Sequence, residues 1–171
     1  MDNLPKNFKL LFGEEIIKEL EGEKIWKVNF FHPATDNQGS IMLPIHEESD
    51  GTQKLFAYAG PWLEMLTEGR VFFIDEIDTS LHPYIIRFLL SLVHSPRSNE
   101  NNGQVIFTTH DTSLLDPGIF RRDQIWFVEK DRYNASCLYP LSDFSPRKKE
   151  ALRKGYMAGR YGAIPYVRDF G

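Results

Sequence analysis

Four apolar residues, Val71-Phe72-Phe73-Ile74, run without alternation into the acids Asp75-Glu76. A run of this kind reads as a strand buried on both faces, as in the middle of a parallel sheet covered by helices. Gln104-Val105-Ile106-Phe107 repeats the pattern and delivers Thr108-Thr109-His110-Asp111 at its end. Between the two, Pro83 to His94 carries apolar residues at Ile85, Ile86, Phe88, Leu89, Leu90 and Leu92, which predicts a helix packed on the sheet. Ser95 to Gly103 is polar and Asn-rich, and reads as a surface loop. Upstream, the periodicity of Leu55 to Leu66 predicts a helix that reaches about Glu68 and is capped by Ser49.

The flanks read less regularly. Glu14 to Glu21 predicts a short charged helix, and Ile25 to Phe31 and Ser40 to Ile45 predict two strands. Pro33 to Gly39 is the turn between them, and Asp36-Asn37-Gln38-Gly39 has hairpin chemistry, so the strands are expected to pair antiparallel. Gln124 to Val128 and Cys137 to Pro140 flank a turn at Asp131 to Ala135 and are expected to extend the sheet's edge. The fold class is therefore α/β, a mostly parallel sheet flanked by helices with an antiparallel edge. No internal repeat or linker divides the chain, and residues 1–171 are expected to form one partial domain.

Composition narrows the classes. At 171 residues, 42% hydrophobic and 13% aromatic, the chain can bury one core. A formal net charge of −4 argues against a surface that coats nucleic acid generally. One cysteine, Cys137, gives no disulfide framework and fits a reducing compartment. No apolar run is long enough for a membrane span, and Met1 to Lys6 lacks the apolar core of a signal peptide, so the cytoplasm is the expected location. Pro146 to Lys154 is a basic cluster that can contact a phosphate backbone or an acidic partner protein; a solvated helix face explains it more simply.

The strand ends carry the chemistry. In open α/β sheets ligands bind beyond the carboxyl ends of the strands. Asp75 is placed there to hold Mg²⁺, Glu76 to polarise an attacking water, and His110 to hydrogen bond a terminal phosphate oxygen. An acid in this position also caps helices or pairs with a neighbouring cation, and for a single carboxylate that would suffice. Here Asp78 adds a third acid and a second strand adds the histidine. Ser49-Asp50-Gly51-Thr52 at a helix start gathers free N–H groups, a hydroxyl and the positive helix end, which suits an anion; the alternative is an ordinary cap. Three rival readings stay open. Asp75-Glu76-Ile77-Asp78 also fits the helicase "DExD" pattern, although Thr108-Thr109-His110-Asp111 lacks the Ser-Ala-Thr type of motif such a protein shows. Asp75, Glu76, Asp78 and His110 could surround two ions in a metal-dependent nuclease. A non-enzymatic regulator that binds an intact ATPase is the third.

In order and spacing these motifs resemble the second half of an ABC-type ATPase domain, of the kind found in DNA-repair and chromosome-maintenance heads and in bacterial restriction and phage-defence ATPases. Glu48 to Gln53 resembles the signature motif, Val71 to Glu76 the Walker B strand, Asp78 to Pro83 the D-loop, and Thr108 to His110 the switch-histidine loop. The Leu81-His82-Pro83 ending and the tail Gly159 to Pro165 look most like the AAA-family, RloA-like group. The resemblance covers roughly residues 24 to 168. It implies ATP and Mg²⁺ as cofactors, Glu76 and His110 as catalytic residues, and Asp75 as the metal ligand. It further implies nucleotide contacts from His110, Ser80, Ser49, Gly51 and Thr52, the signature residues reaching the site of a partner subunit in a head-to-head dimer. No Gly-Lys-Ser or Gly-Lys-Thr occurs in the 171 residues, so the phosphate loop expected of the family is missing. Lys154, Gly155, Gly159 and Gly162 do not supply it, because Lys154 precedes the glycines and no apolar strand leads in. The implied partners are therefore an N-terminal phosphate-loop half or an intact homologue, with a nuclease or other effector protein, nucleic acid at the basic cluster, and no membrane. Alone the chain is expected to be inactive.

Overall fold

The computed structural model describes residues 27–34, 39–145 and 151–165. The helix expected over Glu14 to Glu21, the start of the first strand at Ile25 and Trp26, most of the hairpin turn, and Pro146 to Glu150 of the basic cluster lie outside the described residues. The chain divides into two compact units, Met1–Glu48 and Ser49–Gly171.

In the first unit β1 (Asn29–Pro33) pairs antiparallel with β2 (Ser40–Pro44), as the pattern predicts. Phe31 stands opposite Met42, and both are exposed. The Ala34 N–H donates to the Gly39 carbonyl at 3.1 Å and closes the hairpin. Ile45 leaves the strand and opens a 3-10 turn, Ile45–Glu47.

The second unit begins with α1 (Asp50–Glu68). Ser49 caps it, its Oγ accepting the Thr52 N–H at 3.2 Å. Gly69 ends it in the left-handed conformation at φ 70, the backbone that glycine adopts at helix ends. Trp62, Met65 and Leu66 bury one face of the helix. β3 (Val71–Ile74) pairs parallel with β4 (Gln104–Phe107), and the crossover is α2 (Pro83–His94). Proline at the first helical position suits α2, since its missing N–H has no intrahelical partner there; His82 Nδ1 accepts the Tyr84 N–H at 3.2 Å. Ile86, Leu89 and Leu90 of α2 join the α1 residues, Ile74 and Ile77 in one core. The Ser95 to Gly103 connection is a surface loop held by Asn99, which bonds Val93, and Gly103 through both its N–H and its carbonyl.

β5 (Trp126–Lys130) and β6 (Ser136–Pro140) form an antiparallel hairpin. Phe127 packs with Leu141, with Leu152 of α3 (Leu152–Met157) and with Tyr161 in a second core. Tyr139 Oη donates to the Tyr161 carbonyl at 2.9 Å, and Tyr156 Oη to that of Ala163 at 2.8 Å, which pins the glycine-rich tail. No helix among the described residues is long and apolar enough to cross a membrane.

The structure is α/β, but two expectations of the sequence fail. The strands form three separate two-stranded sheets among the described residues, of which β3–β4 alone is parallel, so the sheet is not mostly parallel and β5–β6 does not extend its edge. Nor is β3 buried on both faces: Ile74 is 6% exposed, whereas Phe73 is 70% exposed and its partner Ile106 50%. Successive side chains point to opposite faces of a strand. The helices α1 and α2 cover the Phe72 and Ile74 face, and no layer of described residues covers the other. An apolar run therefore marks β structure here without marking two-sided burial.

Candidate functional site

Register assembles the site. Ile74 stands opposite Phe107, so whatever follows the two strands leaves the same edge of the sheet. The ladder continues past the strand ends, the Thr108 N–H donating to the Ile74 carbonyl at 3.0 Å and the Ile77 N–H to that of Thr108 at 3.1 Å. The Thr108 hydroxyl joins the two acids, donating to Asp75 Oδ1 at 2.5 Å and accepting the Glu76 N–H at 2.8 Å.

Glu76 has φ 48, a left-handed conformation that costs a non-glycine residue about 1–2 kcal/mol. Four bonds besides the tertiary frame hold it there. Its N–H is taken by Thr108, its carbonyl accepts from the Thr79 N–H at 3.0 Å and from Lys54 Nζ at 3.1 Å, and its Oε2 accepts from Thr79 Oγ1 at 3.2 Å. Strain of this kind gathers at functional sites, where the surroundings fix the residue. The other carboxylate oxygen lies 3.7 Å from His110 Nε2, with the imidazole 86% exposed. At that distance the contact is too long for a hydrogen bond, and the ring is open to a ligand.

Asp78 orients the histidine's backbone, its Oδ1 accepting the His110 N–H at 3.3 Å. Desolvation pushes its carboxyl up, but hydrogen bonds from Thr109 and from the N–H groups of Asp78 and His110, with the charge of His110, outweigh it and hold the group below the usual aspartate range.

Ser49 and Thr52 meet at the start of α1, their hydroxyls 2.9 Å apart. Gly51 lies against the loop that follows Glu76: a Cβ on it would sit 2.8 Å from the Ser80 carbonyl oxygen. Ser80 itself has φ 62. The structure thus brings Asp75, Glu76 and His110 together, and Gly51 with Ser80. Among the described residues no hydrogen bond joins Ser49 or Thr52 to the acids, whereas Lys54 does connect α1 to Glu76.

Asp75 and Thr108 offer a carboxylate and a hydroxyl, hard oxygen donors of the type Mg²⁺ takes. No group of three or more His, Cys, Asp or Glu side chains among the described residues is arranged to hold a metal ion, so most of the coordination sphere would come from ligand and water oxygens.

Sequence reasoning gave Thr108, Thr79 and Lys54 no role. Thr108 was within reach, because extending the register by one residue sets it opposite Asp75. Lys54 and Thr79 carry no such signal, since their partners depend on how the loop after β3 folds.

A family model described as "AAA domain, putative AbiEii toxin, Type IV TA system" matches residues 6–116, well over half of the chain. The matched span includes both strand-end segments, Asp75 to Ser80 and Thr108 to Asp111. No curated protein and no solved structure shows a match.

Proposed function

Because the chain belongs to the AAA-domain family, whose members are nucleotide-hydrolysing P-loop ATPases, we propose that the edge of β3–β4 is its hydrolytic site. The observation that carries this reading is the Thr108 hydroxyl bound at once to Asp75 Oδ1 and the Glu76 N–H, which aligns two adjacent acids for different tasks. Asp75 would hold Mg²⁺, which when bound neutralises phosphate charge. Glu76 accepts the proton of the attacking water; it is a carboxylate fixed in backbone and reachable from solvent. His110 donates to a terminal phosphate oxygen from its exposed ring.

The finer reading is the C-terminal half of an ABC-type ATPase. Ser49, Gly51 and Thr52 then serve the nucleotide of a second head, and Ser80 lies on the path between heads. Grip on the α- and β-phosphates must come from a phosphate loop outside these 171 residues, in the same polypeptide or another. The family's description names a toxin of a toxin–antitoxin system. That supports a defence or growth-control effector, acting in the cytoplasm on a protein or nucleic-acid partner, as what hydrolysis drives.

The test is ATP hydrolysis by the chain, alone and mixed with a family N-terminal half bearing a phosphate loop, with Glu76→Gln as control. The expected result is hydrolysis in the mixture, cut about 100-fold or more by the substitution. Mg²⁺-dependent cleavage of nucleic acid without hydrolysis would overturn the reading.

A further inference from the structure

The first turn of α1 touches the loop after β3 at two points. One is the contact of Gly51 with the Ser80 carbonyl, too close to admit a Cβ. The other is Lys54, one turn further on, whose Nζ donates to the Glu76 carbonyl oxygen at 3.1 Å across 22 residues of sequence; the same oxygen accepts the Thr79 N–H at 3.0 Å from within the loop, so Lys54 is the donor that reaches it from α1. Glu76 is the residue in the left-handed conformation, and its carbonyl direction is set by the same strained backbone that aims its carboxylate. Lys54 is itself held from behind. Its ammonium lies 5.5 Å from the centroid of the Tyr58 ring, and Tyr58 packs edge-on against Phe72 of β3 at 6.1 Å. The lysine is therefore braced by the strand that leads into the residue it binds. A half-buried lysine on a helix surface has no need of a carbonyl partner, since water satisfies an ammonium well. Spending it on this carbonyl makes sense where that peptide must not rotate.

We propose that Lys54 is a positioning residue for Glu76: it holds the Glu76 peptide in its left-handed conformation, and so ties the start of α1 to the placement of the catalytic carboxylate. The assignment deepens the ATPase reading and rests on it. Because Ser49, Gly51 and Thr52 share the turn before Lys54, a ligand that shifts this turn shifts the carboxylate with it.

The experiment compares Lys54→Met, which keeps the aliphatic stem, and Lys54→Arg, which keeps a donor, in the full chain assayed with the phosphate-loop half. Lys54→Met should lower kcat for ATP between about tenfold and 100-fold with KM nearly unchanged, because a small misplacement of a reacting group costs rate rather than binding. Lys54→Arg should recover most of that loss. Amide hydrogen exchange supplies the second readout: in Lys54→Met, exchange at Glu76 and Ile77 should quicken while that of Leu89 and Leu90 in α2 stays the same. Quickened exchange with wild-type kcat would overturn the positioning role, as would kcat and exchange both unchanged. If the wild-type mixture hydrolyses no ATP, the ATPase reading fails by itself. Exchange at the Ile77 N–H, which belongs to the peptide whose carbonyl Lys54 binds, then still decides whether Lys54 holds that peptide, upheld if it quickens in Lys54→Met and refuted if it does not.

Discussion

Replacing Thr108 with valine preserves the side-chain shape and β-branching while removing one hydroxyl. That hydroxyl donates to a carboxylate at 2.5 Å and accepts a backbone N–H at 2.8 Å. A hydrogen bond to a charged group contributes about 1.5–3 kcal/mol and a neutral one about 0.5–1.5 kcal/mol. Both lie at an exposed edge, where water replaces much of what is lost, so the expected destabilisation is about 1–2 kcal/mol rather than the sum. Thr108→Ser keeps the hydroxyl and should lose less than about 0.5 kcal/mol, since the methyl group it drops is exposed. Urea unfolding reads the difference: with a slope of about 2 kcal/mol per molar, the two midpoints should lie about 0.25–1 M apart at equal slope. A double-mutant cycle with Asp75→Ala isolates the carboxylate bond and should return a coupling of about 1 kcal/mol. Equal midpoints for the valine and serine variants, or a coupling near zero, would refute the account of how the acids are aligned.

Glu76→Gly should abolish hydrolysis yet leave the protein as stable as the wild type, or more stable by up to about 1 kcal/mol. Relief of about 1–2 kcal/mol of left-handed strain exceeds the roughly 0.5–1 kcal/mol entropic cost of glycine; a lowered urea midpoint would contradict this. The Asp78 carboxyl is held below the ordinary value of 3.8, so the unfolded chain binds more protons than the folded one in that range. Its stabilising effect is complete above about pH 4 and fades as pH falls below 3.8, and Asp78→Asn should lose less stability than the wild type between pH 5 and 3. Burial, then hydrogen bonding and repulsion from Glu129, push the Tyr139 hydroxyl up to about 12. Its contribution to stability is lost as pH rises from 10 through about 12, and absorbance titration should show a late-ionising tyrosine that Tyr139→Phe removes.

Much of the local structure was legible because it depends on neighbours in sequence. Proline at Pro83 and the 3.6-residue spacing of Ile86, Leu89 and Leu90 fix α2 at both ends, and Val71 to Ile74 and Gln104 to Phe107 are strands at the expected bounds. The Ser49 cap and the hairpin pairing of β1 with β2 follow from equally local chemistry. Burial was not legible, since Phe73 and Ile106 are as apolar as Ile74 and differ from it only in which face the helices cover. Strand partnership failed for the same reason: nothing within β5 or β6 says whether they join β4 or each other. Strand-end position singled out Asp75, Glu76 and His110, and these do lie at one edge of β3–β4. Register extended by one residue would have added Thr108, whereas the bonds of Thr79 and Lys54 appear only once the backbone of Glu76 has turned left-handed, a conformation that its side chain does not announce.

The bonds that join the site's elements are all distant in sequence: Lys54 to Glu76 spans 22 residues, Asp78 to His110 spans 32, and Asp75 to Thr108 spans 33. Each must repay loop closure before it stabilises anything, whereas α2, which lies inside the loop, can form from its own neighbours. The order of events on the ribosome follows. At about 5–20 residues per second, roughly 2–7 s of synthesis separate the acids from the threonine that aligns them. Until then the nascent chain carries the acids without the hydroxyl that aligns them, so the geometry of this edge is a late product of synthesis however early its acids emerge.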